Sequence, residues 1–201
     1  MFRRISASAL TVAAAIAALG CATTLQTPTV LEPGQVSLGA SVATVLQSNG
    51  VLAPLPGIVG GVRVGVANGV DLGVKLEGPF PTGVTVDAKF EVVRAGSLLV
   101  AVDVGAAWIA NDLIGLVPMV LVGTERFYGG ARVGAAVALG SAEVRLAPEV
   151  IAGASFGHAV ALQIEASAIG PFLTVPADAT PVWDYLLVGR LGVGVSFLID
   201  P

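Results

Sequence analysis

Charge is scarce in this sequence: 12% of its 201 residues are Asp, Glu, Lys or Arg, against ~25% in an ordinary soluble domain. With 55% hydrophobic residues beside it, that scarcity argues against an ordinary soluble enzyme. Long hydrophobic runs are missing as well. The apolar excess is not gathered into the ~20-residue blocks that several membrane-crossing helices would need, so a polytopic helical membrane protein is excluded. A single cysteine, Cys21, cannot close an internal disulfide. A single histidine, His158, leaves no Cys/His set for zinc. Basic residues number 10 against 14 acidic, which provides no basic patch for nucleic acid.

What is present begins with a targeting segment. Arg3 and Arg4 precede an apolar stretch from Ile5 to Leu19, broken only by Ser6, Ser8 and Thr11, and the stretch ends in Ala18-Leu19-Gly20-Cys21. Residues 1–20 therefore read as a signal peptide of an exported chain. The Ala-Leu-Gly-Cys end resembles the lipobox of bacterial lipoproteins, which implies that Cys21 is lipidated and becomes the mature N-terminus. Ordinary signal cleavage near Ala22 and an uncleaved anchor are the alternatives. Without Arg3 and Arg4 the mature chain carries eight basic residues (ten less two) against fourteen acidic, a net charge of −6. Residues 21–34 are rich in Thr and carry two prolines without periodicity, so they read as an extended, lipid-anchored tether.

From Gln35 onward the pattern has period two. Val70-Asp71-Leu72-Gly73-Val74-Lys75-Leu76-Glu77 and Val84-Thr85-Val86-Asp87-Ala88-Lys89-Phe90-Glu91-Val92 alternate strictly, which is a strand signal. The same reading predicts ten strands, at about 35–46, 58–66, 70–77, 84–92, 98–109, 116–123, 127–139, 142–154, 159–168 and 183–199. Most approach the ~9 to 11 residues a tilted strand needs to cross a bilayer core.

Fourteen charges fall within these strands: Arg63, Asp71, Lys75, Glu77, Asp87, Lys89, Glu91, Asp103, Arg132, Glu143, Arg145, Glu149, Glu165 and Arg190. Every one lies on the face opposite the Val, Leu and Ile residues. A soluble sandwich or lipocalin-like barrel would turn the aliphatic face inward and the charged face to water. Here the charged face also holds Gly61, Gly65, Gly73, Ala101, Gly105, Gly134, Ala136, Gly192 and Gly194. Small residues between a few long charged ones suit the crowded lumen of a narrow barrel whose apolar face meets lipid. The fourteen charges are accordingly expected to form a mixed lumen network. Outside the signal segment, the aromatics apart from Phe90 sit near strand ends or in loops. Trp108, Trp183 and Tyr185 at one end, and Phe127, Tyr128 and Phe197 at the other, are expected to form two interfacial girdles.

Connections after odd-numbered strands are expected to be the longer ones. Bacterial barrels place long loops outside and short turns in the periplasm, so both termini are expected in the periplasm. The short Gly140-Ser141 connection departs from this and suggests a hairpin extending beyond the membrane. Around Ala67-Asn68-Gly69 parity favours a Val66–Val70 pair, with Gly69 left-handed in a bulge. Across the next loop Lys75 is expected opposite Asp87, with Asp71 near Glu91.

Catalytic chemistry is nearly absent. Ser155 and His158 lie three residues apart with no oriented acid beside them, and a triad needs all three roles. Asp and Glu alternate with Lys and Arg, so no metal site or cofactor is expected. The Gly60-Gly61 and Gly192-Val193-Gly194 glycines are not phosphate loops, since no helix follows.

Residues 35–199 thus resemble small bacterial outer-membrane β-barrel proteins. The resemblance implies an all-β, up-and-down antiparallel transmembrane barrel of about ten strands (eight to ten) over residues 35–201. It also implies outer-membrane lipids and the outer-membrane assembly machinery as partners, with Phe197 as the C-terminal aromatic that machinery reads. The role expected is structural or adaptor, with the lumen plugged by its own side chains. A narrow passive channel and a lipid-anchored soluble β-protein of the periplasm are the alternatives.

Overall fold

A computed structural model of the protein describes residues 25–47, 56–78, 83–109, 113–138, 143–176, 180–185 and 187–200. The signal segment, Cys21 and the Gly140-Ser141 connection lie outside these residues. The chain forms β1 (Val36–Gln47), β2 (Pro56–Ala67), β3 (Val70–Gly78), β4 (Gly83–Ala95), β5 (Leu98–Ile109), β6 (Leu113–Gly123), β7 (Phe127–Ala138), β8 (Glu143–Gly157), β9 (Val160–Ile169), β10 (Phe172–Val175), β11 (Val182–Asp184) and β12 (Val188–Ile199). From β1 to β9 each strand pairs antiparallel with the next, and β12 pairs with both β9 and β1. Ten strands thereby close an up-and-down antiparallel barrel, which leaves no open sheet edge along its wall. Among the described residues no helix is long and apolar enough to cross a membrane.

Period two along each strand sets which residues face in. On β5, Leu99, Ala101, Asp103 and Ala107 are buried, while Leu98, Val104 and Trp108 are exposed. The same alternation exposes Leu72, Val74 and Leu76 on β3, and Leu162 and Ile164 on β9. The wall is therefore inside out relative to a soluble protein. Most of its aliphatic side chains lie on the outer surface, with Val59, Leu99, Leu121 and Ile151 among the exceptions that point inward.

The two ends differ. At one, here the turn end, neighbouring strands are joined by two or three residues, at 68–69, 96–97, 124–126 and 158–159. The other, the loop end, carries connections of three residues or more, and the last of these holds β10 and β11. The sequence reading merged β11 and β12 into one strand at 183–199 and had no β10. In the structure β8 is longer than β9, and its free overhang pairs with β10 at Leu146–Leu173, Arg145–Thr174 and Val144–Val175, with β11 added outside.

Two register expectations need correction. At the β2–β3 turn Ala67, not Val66, pairs with Val70, and the bulge falls at Val66 between Gly65 and Ala67. Parity did demand a bulge, but a two-residue Asn68-Gly69 turn with Gly69 at φ 72° places it inside β2. On the β3–β4 ladder Lys75 lies opposite Thr85 and Asp71 opposite Lys89, so Asp87 faces Gly73 instead of Lys75. The shift is two residues, which leaves every side chain on its own face.

Candidate functional site: the bore

The fourteen predicted charges lie on eight of the ten barrel strands, all but β1 and β6, and nine of them, Asp71, Glu77, Asp87, Lys89, Asp103, Arg132, Glu149, Glu165 and Arg190, are buried in the bore. In the half formed by β2 to β5, Arg63 is the hub. Its Nη2 lies 2.5 Å from Asp71 Oδ1, its Nη1 2.6 Å from Asp87 Oδ1, and Asp103 follows at 3.7 Å. Lys75 pairs with Asp87 diagonally and Lys89 with Asp71 directly, each at 3.4 Å. On the opposite wall Glu149 of β8 accepts from Arg132 of β7 and from Arg190 of β12. Glu77 of β3 is buried between the two groups and feels the positive charge of Lys75, Arg132 and Arg190. Glu165 accepts a hydrogen bond of 3.2 Å from the Tyr128 hydroxyl. The last two pairs sit toward the ends, Glu143–Arg145 on β8 at 3.3 Å and Glu91–Arg94 on β4 at 2.6 Å. Withdrawing so many charges from water is costly unless each finds an opposite charge or a hydrogen bond. The interleaving of both signs along adjacent strands supplies those partners.

Not all of the bore is polar. Met119, Leu121, Tyr128 and Ile151 form one apolar cluster, and Ala147, Ile169, Phe172 and Val188 another. Tyr128 is a correction to the expected girdles, since it is 5% exposed and points inward. Its parity with Arg132 on β7 was the signal for that. The other expected girdle residues are exposed: Trp108 on the barrel wall and Trp183 and Tyr185 in the β9–β12 connection toward the loop end, Phe127 and Phe197 toward the turn end. Phe127 also meets Phe156 edge to face, with ring centroids 6.2 Å apart.

The sequence reading missed the largest occupant of the bore. Residues 25–31, expected as part of an extended tether, fold back inside the barrel, and Glu32, Pro33 and Gly34 stay exposed at its mouth. Lys89 donates to the carbonyls of Thr27 and Thr29, Asp71 accepts from the Leu31 amide, and Asp87 accepts from the Gln26 side chain. The physical reason is that Lys89 and the carboxylates leave hydrogen-bonding capacity in a site largely shut off from water, and a peptide main chain carries complementary groups. Beside this segment, at the turn end, lies a cavity of about 400 Å³ whose lining includes Gln35, Arg94, Glu125, Ser155, His158 and Gln163. Among the described residues no hydrogen bond or ion pair joins Ser155, His158 and Glu125.

No protein-family model and no curated protein sequence matches the chain. Solved structures resemble its fold. The NanC porin aligns at 11% identity and a TM-score of 0.45, over 80% of this chain and 98% of its own. The outer membrane protease OmpT from Escherichia coli aligns at 7% and 0.40, over 86% and 100%. Ail, the attachment invasion locus protein of Yersinia pestis, aligns at 12% and 0.35, over 83% and 99%.

Proposed function

We propose that this chain is a small bacterial outer-membrane β-barrel protein with a non-catalytic, structural or adaptor role. It is exported, inserts with the turn end and both termini toward the periplasm, and is acylated at Cys21. Outer-membrane lipids surround its wall, and the assembly machinery that inserts such barrels is its first partner. The observation that carries this reading is the inversion of the wall: aliphatic side chains outward on every barrel strand, ion pairs inward. An outer face of this kind is costly in water and favourable in hydrocarbon.

The charge network supports a closed bore. A barrel of ten strands is little wider than the ~8-stranded kind whose interior side chains fill it, and here Arg63, Glu77, Arg132 and Arg190 reach inward from four walls. A narrow passive channel is the second reading, favoured by the turn-end cavity. Planar-bilayer conductance of the purified protein separates them. A closed bore gives no steady openings, whereas a channel gives regular ones. The fourteen strand charges comprise eight acidic and six basic residues, so they lack the single-sign ring of a selective pore. Large, strongly anion-selective currents would overturn the placement of these charges in one closed lumen.

A further inference from the structure

Residues 25–31 lie in the bore as a bound peptide lies in a groove, and the exposed Glu32, Pro33 and Gly34 lead out to its mouth. Gln26, Pro28 and Val30 are buried, while the residues between them are partly covered, the alternation of an extended chain. Most of the contacts that hold the segment go to its main chain. Lys89 Nζ donates to the carbonyls of Thr27 at 3.2 Å and Thr29 at 2.5 Å, and the Leu31 N–H donates to Asp71 Oδ2 at 3.1 Å. Lys89 and Asp71 face each other on the β3–β4 ladder. One cross-strand ion pair therefore offers a cation to two carbonyls and an anion to an amide, at positions two residues apart. Those groups belong to any peptide. Among these contacts, only Gln26 is held through its side chain, at 3.3 Å from Asp87.

The wall is also shaped for this occupant. A Cβ at Gly65 would collide with the Glu32 and Leu31 carbonyls, main-chain atoms of the segment itself. The segment joins the sheet through a hinge at Gly34, whose φ is 89° and whose N–H donates to the Gly65 carbonyl at 2.9 Å. The neighbouring cavity of about 400 Å³ shows that it does not fill its half of the bore.

We propose that the turn-end half of the bore is a binding site for an extended peptide. Residues 25–31 occupy it in cis, and it takes in trans an extended peptide of the same kind, with apolar side chains at two alternate buried positions, as at Pro28 and Val30, and an amide side chain where Gln26 meets Asp87. The site goes beyond the structural role above, and it depends on the bore alone, not on the membrane in which the barrel resides.

The chain has two lysines, Lys75 and Lys89, and the Lys89 side chain is 3% exposed. Modification of Lys89 by a water-soluble amine-reactive ester therefore reports whether the site is filled. The comparison is between refolded, unacylated full-length chain and a variant lacking residues 25–33, each shown to be folded by its strand circular dichroism. Lys89 should react at least about tenfold faster in the deletion variant, as expected when protection by a seated segment is lost. A capped synthetic peptide of residues 25–34 should restore the protection saturably. The same peptide N-methylated at Leu31, which has no amide hydrogen for Asp71, should protect less. Should the deletion variant fail to fold, full-length Gly65→Val excludes the Glu32 carbonyl and should expose Lys89 in the same way. Equal Lys89 reactivity in the full-length chain and in the folded variants would overturn the occupied site. Exposure without protection by the added peptide would overturn binding in trans.

Discussion

Gly73 stands directly opposite Asp87 on the β3–β4 ladder, and its lack of a side chain is what lets Arg63 cross β3 to reach that carboxylate at 2.6 Å. A Cβ at Gly73 would sit 2.7 Å from Asp87 Oδ1 and 2.9 Å from Arg63 Nη1. Gly73→Ala should therefore wedge the pair apart and destabilise the barrel by about 1 to 3 kcal/mol, the usual cost of overpacking a filled interior. Gly60→Ala is the control, because a Cβ there has nothing within 4 Å, and its effect should stay within about 0.5 kcal/mol. Urea unfolding of both variants in lipid vesicles measures the difference.

Arg63 serves three carboxylates, so its removal should be worse than the removal of any one of them. Arg63→Leu leaves Asp71, Asp87 and Asp103 sharing Lys75 and Lys89, and breaking a buried pair from one side costs about 3 to 5 kcal/mol. Arg63→Lys should recover only part of that loss, since one ammonium cannot reproduce the forked reach of a guanidinium. The unfolding midpoint, followed by the fluorescence of Trp108 and Trp183, should rank wild type above Arg63→Lys and Arg63→Leu last. Equal midpoints for Lys and wild type would show that charge alone matters.

The inverted wall makes a prediction that a soluble β-protein would reverse. Val104 is exposed at the middle of β5 and Ala107 is buried on the same strand. Val104→Arg should cost about 2 to 4 kcal/mol near a bilayer midplane, whereas Ala107→Ser, beside Thr85, should cost less than about 1 kcal/mol because a hydroxyl there can find a partner. The opposite order would mean that Val104 faces water.

The two faces were legible in the sequence because a strand has period two and every strand charge keeps one parity. That logic cannot see a shift of two residues. It placed Lys75 opposite Asp87, where the structure has Gly73 opposite, and the Lys75–Asp87 pair survives because long side chains reach diagonally along a ladder. Tyr128 was misassigned by weighing its place near a strand end over its parity with Arg132. Residues 25–34 were illegible for a different reason: a chain held by its main-chain groups needs no hydrophobic period of its own. The pointer lay elsewhere, in Gly65 on the inner wall, where the close approach of the Glu32 main chain excludes a side chain.

The same segment bears on Cys21. Leu25 packs against Gly194, five residues short of the turn-end limit of β12 at Ile199, or about 16 Å along the strand. Because barrel strands tilt by ~40°, that is about 12 Å of depth, and the four residues from Cys21 to Leu25 reach at most about 14 Å when fully extended, which leaves almost nothing to pass round the rim into lipid. An acyl group on Cys21 held in lipid at the turn end and Leu25 seated in the bore should therefore compete. Cys21→Ser should abolish acyl labelling while the protein still fractionates with outer membranes, because ten strands hold it there. It should also leave Lys89 better protected from amine modification than in the acylated protein. Release of Cys21→Ser into the soluble periplasm would support a lipid-anchored soluble protein instead, and unchanged Lys89 reactivity would show that anchor and segment do not compete.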